Sequence, residues 1–357
     1  MKRWVVAVLV AVALLAGGWT ALAWLPLDLP EPVAAVIQMP ERLLTRWIPP
    51  RKGKVRRLTP EEREAFLALT SRLDRLDARV VWSSNRDGNH ELYLMDLRSR
   101  EVRRLTRHPH VDFFSRFSPD GTRLVFLRSQ RPWVSFREEG AWDVYLLDLA
   151  TEAERLLARG GYHPSWTPDG SAVIFARGAQ VLRLDLATGR ESVLLDGAAT
   201  DWMRGGGLTT PEISPDGRQL AVTVRSPLYD GVATVDLTTG RATRITAGQA
   251  CQLTWSPVQD LIWVDTGGRG GTQIVRGAQP GARAEVFMDL PGRHSHEYFP
   301  KLSNDGRWLV WGATDQGHEH DRAPYEIFLW EVGTPWETAV RLTYHTGNDQ
   351  WPDIYVR

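Results

Sequence analysis

The chain has 357 residues with 43 basic and 43 acidic side chains, and so no net formal charge. That length is enough for a large core, and the charge balance does not suggest the strongly basic surface of a nucleic-acid binder. The single cysteine, Cys251, excludes an internal disulfide framework and any Cys-based metal motif.

Lys2 and Arg3 precede an uncharged run from Trp4 to Leu25. At about 1.5 Å per residue this run spans roughly 33 Å as a helix, enough to cross a bilayer. The basic pair sits on its N-terminal side, and the next charges, Asp28 and Glu31, are acidic. The positive-inside rule therefore predicts that the rest of the chain is extracytoplasmic. Two readings of residues 1–25 stand open: a retained signal anchor, or a signal peptide cleaved at the "ALA" of Ala21 to Ala23. No cysteine lies nearby to carry a lipid. Residues 26–58 are dotted with proline and end in the basic stretch "RKGKVRR", which reads as a linker. Over residues 59–77, Thr59, Pro60 and Glu62 form a capping box with proline at the first helical position. Phe66, Leu67, Leu69 and Leu73 then mark one side of a short amphipathic helix expected to dock on the main domain.

From residue 78 onward the pattern changes to short β-branched and aromatic runs bounded by turns. "SPDG" occurs at Ser118–Gly121 and Ser214–Gly217, "TPDG" at Thr167–Gly170 and "SNDG" at Ser303–Gly306, with a glycine-less "SPVQD" at Ser256–Asp260. The intervals between these anchors are 49, 47, 42 and 47 residues. In such a turn proline presets φ at the second position and glycine accepts a positive φ. A strand follows each turn, as in "RLVFLR" and "AVIFAR", and two more follow that strand, as in "WDVYLLDL" and "ERLLA". With the strand leading into the turn, each unit has four strands in about 45 residues, the signature of a propeller blade. "ARVVWSS", "HELYLMDL" and "VRRLT" (Ala78 to Thr106) lack a leading strand, while "QWPDIYV" (Gln350 to Val356) is a leading strand with nothing after it. Joining them predicts an all-β, six-bladed propeller of four-stranded blades over residues 78–357, its ring closed by the C-terminal strand.

"SSNRDGNHELYLMDL" (Ser83 to Leu97) followed by "LTRHPHVDFFSRFSPDG" (Leu105 to Gly121) resembles the repeats of TolB-type propellers. The resemblance covers about residues 78–357. It implies an extracytoplasmic propeller that binds other envelope proteins, although TolB itself carries a further N-terminal α/β domain. Some lyases of acidic sugars share these repeats and hold a metal with histidines.

Sorting loops by face puts all nine histidines on the face opposite the SPDG turns. "HPHVD" (His108 to Asp112), "HSHE" (His294 to Glu297) and "HTGND" (His345 to Asp349) recur at blade junctions, while His163 enters a leading strand. One reading is local hydrogen bonding between loops. The other is a metal or anion site in which His296, Glu297, Asp112 and Asp349 converge near the axis with His318, His320 and Asp321 close by. A divalent metal is the one cofactor this pattern leaves open. Long loops on the same face carry Trp133, Phe136, Trp202 and Met203, either as a binding surface or folded back over the blades. His110, Asp112, Trp133, His163, Trp202, His294, His296, Glu297, His318, His320, Asp321, His345 and Asp349 are thus the candidate binding residues. No G-x-S-x-G elbow, phosphate loop or Cys–His pair is present. The expected function is a non-catalytic envelope module binding a protein or a glycan, anchored by its N-terminal helix. The alternative is a metal-dependent polysaccharide lyase or hydrolase.

Overall fold

A computed structural model of the chain describes residues 58–246, 250–258, 260–267, 271–277, 284–316, 320–344 and 347–357. The expected membrane segment and the linker through Arg57 lie outside these residues. Among the described residues no helix is long and apolar enough to cross a membrane.

Helix α1 (Pro60–Thr70) begins with both arms of the capping box: the Thr59 amide donates to Glu62 Oε2 at 3.0 Å and the Glu62 amide to Thr59 Oγ1 at 3.2 Å. Phe66 docks edge-on against Tyr344, and Leu73, just past the helix, is buried among β-sheet side chains. Leu67, expected on the docked side, is instead 55% exposed.

Six four-stranded antiparallel sheets follow. The first contains β1 (Ala78–Ser84), β2 (Glu91–Asp96) and β3 (Val102–Arg104). The second is β4 (Asp112–Phe117), β5 (Arg123–Ser129), β6 (Trp142–Asp148) and β7 (Glu154–Ala158). The third is β8 (Tyr162–Trp166), β9 (Ala172–Arg177), β10 (Gln180–Asp185) and β11 (Glu191–Asp196). The fourth is β12 (Gly207–Ile213), β13 (Gln219–Ser226), β14 (Tyr229–Asp236) and β15 (Ala242–Arg244). The fifth is β16 (Ala250–Trp255), β17 (Leu261–Asp265), β18 (Gln273–Gly277) and β19 (Glu285–Met288). The sixth is β20 (His296–Leu302), β21 (Trp308–Thr314), β22 (Glu326–Glu331) and β23 (Val340–Arg341). The last strand, β24 (Asp349–Val356), pairs with β1 and supplies the fourth strand of the first sheet. The first strands of successive blades touch in the order β4, β8, β12, β16, β20, β24 and again β4.

The repeated turn has one mechanism. Ser118 Oγ accepts from the Arg123 amide and donates to Asp120 Oδ1, which in turn accepts from the Thr122 amide. The same set recurs around Ser214 and Ser303, and with Thr167 in the third blade. At the outer hairpins Asp96, Asp148, Asp185 and Asp236 accept amides two or three residues ahead and so form the turns.

Candidate functional site: the two ends of the propeller axis

Every inner strand carries a β-bulge whose residue sits in the left-handed region: Phe114, His163, Thr210, Gln252, Phe299 and Trp351. The ladder breaks at these points, for example between Phe113 and Arg116 and between Tyr298 and Lys301. A bulged amide loses its strand partner and needs another. His163 Nδ1 accepts the Thr210 amide at 3.2 Å, and Gln252 Oε1 accepts the Phe299 amide at 2.7 Å, each across a blade junction. His163, a candidate ligand by sequence, is therefore a neutral acceptor wedged among aromatic rings. Burial holds its pKa well below the usual histidine range, with Arg116 adding to the effect.

The bulges split the axis into two unlike halves. Toward the histidine-bearing loops it is filled with rings. Trp351 lies 4.6 Å from Phe114, 4.2 Å from Phe299 and 5.1 Å from Phe136 between centroids, and His163 lies 4.5 Å from Phe114. Phe136 comes from the long β5–β6 loop. Its amide donates to Asp321 Oδ1 at 3.1 Å and the neighbouring Ser135 hydroxyl to Oδ2 at 2.6 Å, so a buried carboxylate from the sixth blade ties the loop down across the axis. Phe136 and Trp133 pack against the core, Trp202 stacks edge-on with Tyr229 at 5.2 Å, and Met203 is fully buried. The loop aromatics thus fold back over the blades.

The other expected ligands are likewise engaged in the framework. Arg128 grips Asp112 through Nε and Nη2, each at 2.7 Å, and Arg86 pairs with Asp349 at 3.0 Å. His110 Nδ1 is 2.7 Å from the Ser129 carbonyl oxygen, and His294 packs on Phe328. His320 Nδ1 is 3.2 Å from the Tyr325 hydroxyl. His296 is buried opposite Thr314, and Glu297 Oε1 accepts the Leu290 amide at 2.8 Å. Burial pushes the Glu297 carboxyl well above its usual range. His318 and His345 lie outside the described residues. Among the described residues no three His, Cys, Asp or Glu side chains come together closely enough to hold a metal; the expected site of His296, Glu297, Asp112 and Asp349 with His318, His320 and Asp321 close by includes His318, which lies outside these residues. Glu297, Asp112 and Asp349 each sit near the start of an inner strand and bond to their own blade or the loop leading into it, whereas Asp321, in the loop before β22, bonds across to the β5–β6 loop.

Toward the SPDG turns the axis opens into a cavity of about 330 Å³. Its rim is made by the turn prolines Pro119, Pro168, Pro215 and Pro257. Its wall carries Arg116, Glu212, Lys301 and Asp353, with the indoles of Trp166 and Trp255 behind them. The Trp166 Nε1–H donates to the Arg116 carbonyl and the Trp255 Nε1–H to the Glu212 carbonyl, which locks each blade to the one before. Lys301 Nζ meets Glu212 Oε2 at 2.5 Å. Asp353 accepts the Phe117 and Ile354 amides at 2.8 and 2.9 Å. Burial raises the Asp353 pKa and lowers that of Arg116, each partly offset by the charge of the other.

Sequence reasoning passed over these four residues, although a signal for them was present. Two positions before each turn anchor stand Arg116, Ser165, Glu212, Thr254 and Lys301, each polar and each followed by an apolar residue. On an innermost strand that alternation points the polar side chain at the axis.

Residues 77–202 match the family described as TolB beta propeller domain. The TolB homolog of Chlorobium luteolum is 30% identical over 163 residues, covering 34% of this chain and 37% of the relative. The TolB homolog of Chlorobaculum tepidum is 27% identical over 108 residues, covering 30% of this chain and 23% of the relative. The chain therefore spans only about a quarter to a third of the length of these curated relatives. The solved structure of a putative TolB from Agrobacterium tumefaciens superimposes with a TM-score of 0.59 at 17% identity, over 79% of this chain and 98% of that one, a likeness of fold. With six four-stranded blades, the turn repeat and these matches together, the chain carries a TolB-like six-bladed β-propeller.

Proposed function

We propose that this chain is a non-catalytic binding module of the cell envelope, placed outside the cytoplasm by its N-terminal segment, that receives a protein partner at the SPDG-side end of its axis. The observation that carries the reading is the asymmetry of that axis: one end is packed with rings, and the other holds a cavity lined with unlike charges under a proline rim. Pairing of β24 with β1 supports a closed ring, which presents that cavity on a rigid frame. The apolar run after Lys2 and Arg3 supports the extracytoplasmic placement. Val258, in the blade whose turn has lost its glycine, adds an apolar lip beside Pro257 and is 78% exposed.

The test is cross-linked capture from envelope fractions using the full chain and two variants, Val258→Asp and the double variant Trp133→Ala, Trp202→Ala. A partner recovered by the parent and the tryptophan variant but lost with Val258→Asp supports the SPDG-side mouth. Loss with the tryptophan variant and retention with Val258→Asp moves the interface to the histidine-bearing face.

A further inference from the structure

In the SPDG-side cavity Lys301 and Glu212 are paired in contact, whereas Arg116 and Asp353 act on each other only through space. Glu212 is committed: Oε2 to Lys301, and Oε1 to the Trp255 amide at 3.1 Å and the Thr254 hydroxyl at 3.2 Å. Asp353 is committed to two backbone amides. Arg116 differs. It is only 7% exposed, and its Nη1 donates to the carbonyls of Ser115 and Pro352 at 2.9 and 3.3 Å. Its guanidinium lies 4.2 Å from the Phe114 ring centroid, which fixes its plane. Among the described residues no carboxylate lies within 4.0 Å of it, and neither Nε nor Nη2 forms a hydrogen bond. Those two nitrogens form the edge of a guanidinium that receives a carboxylate side-on, through two parallel hydrogen bonds.

We propose that Arg116 is the anchor of a peptide-binding subsite and receives a carboxylate carried by the partner, either an Asp or Glu side chain or a chain terminus. The inference rests on the reading of the SPDG-side mouth as a protein-binding site. Asp353 and Glu212 offset the burial of this guanidinium only partly and from beyond contact distance, and a partner carboxylate in direct contact offsets more of that cost on docking. The neighbouring Asp353 and Glu212 disfavour a dianion such as phosphate and tolerate a single negative charge. The wall favours peptide over sugar. Both indole N–H groups are spent on backbone carbonyls, and the rim offers proline and Val258 surface rather than the hydrogen-bonding array that a sugar ring needs. At about 330 Å³ the cavity takes a side chain with its immediate neighbours, at the low end of small-ligand pockets.

Calorimetric titration of the full chain decides this with four probes: N-acetyl-Leu-Asp-Leu-amide, N-acetyl-Leu-Leu-Leu with a free carboxylate, N-acetyl-Leu-Asn-Leu-amide and galacturonate. At least one acidic peptide binds about tenfold or more tighter than the Asn peptide, which one identifying the carboxylate source, and Arg116→Met abolishes the difference. Equal binding of the Asp and Asn peptides, equal or tighter binding of galacturonate, or no binding of either acidic peptide overturns the inference. Should Arg116→Met not fold, the Asp-to-Asn comparison on the parent chain still decides. If the acidic peptides fail while Val258→Asp still abolishes partner capture, the docking site stands and only the carboxylate anchor falls.

Discussion

Glu297 shows how burial at one residue sets a pH dependence. Its side chain is fully buried and only Oε1 has a partner, so the neutral acid is the favoured form in the folded state. A carboxyl whose folded pKa lies above its unfolded value of about 4.5 binds its proton more tightly when folded. Its contribution to stability is therefore lost as pH rises through that window. Glu297→Gln keeps the acceptor for the Leu290 amide and removes the titration. Its melting temperature should exceed that of the parent at pH 8, and the gap should close toward pH 4. A parent-like slope in the variant would place the titration elsewhere. The two bridging acceptors make a second residue-level prediction. Gln252→Ala leaves the bulged Phe299 amide buried without a partner and should cost about 1–3 kcal/mol in denaturant unfolding. Neither His163 nor Gln252 was readable as an acceptor from sequence, because the amide each one serves is orphaned only when a bulge forms in the neighbouring blade.

At the scale of elements, the turn repeat tests whether one motif has one energetic role. Gly121 has φ +67°, and a Cβ there would sit 2.3 Å from the Tyr355 ring; Gly217 has φ +74° with nothing within 4 Å. Alanine at Gly217 should cost about 1–2 kcal/mol for the left-handed backbone alone. At Gly121 a steric term of about 1–3 kcal/mol adds to it, and a pair of unfolding curves measures the difference. Most strands were legible because each is a short apolar run beside a fixed turn. The exceptions are β18 and β19, whose few apolar residues stand among glycine and charge in "GGTQIVRGAQPGARAEVFM" and give no alternation to follow. The β5–β6 loop was visible as aromatic, yet its inward fold depends on Asp321, more than 180 residues away. Asp321→Ala releases the hydrogen bonds that Ser135, Phe136 and Arg137 of the loop donate to it. It should lower the melting temperature and speed amide exchange at Phe136 while leaving exchange in β9 unchanged.

For the whole molecule, the fit between the two ends of the chain was the most legible feature, since one segment lacked a leading strand and another lacked everything else. The structure pairs Asp349–Val356 with Ala78–Ser84, and Asn304 fastens the strand end by accepting the Val356 amide and donating to its carbonyl. Removing residues 349–357 takes away an entire inner strand together with Trp351 and Asp353. The truncated chain should lose its cooperative thermal transition, not merely shift it. The candidate site was less legible. Histidines drew attention because their chemistry is versatile, whereas the axis-facing positions emerge only when strands from every blade are set side by side.

The ring-filled half of the axis has a topological consequence. A propeller open from end to end would let a polypeptide thread through it, whereas among the described residues the packed rings of Trp351, Phe114, Phe299 and Phe136 make the SPDG-side cavity a blind well. Whatever enters on the SPDG side must leave by the same route. If a partner docks in that cavity as proposed, it can offer only a loose tail or a sharply bent tip, and its dissociation would be a withdrawal rather than a passage.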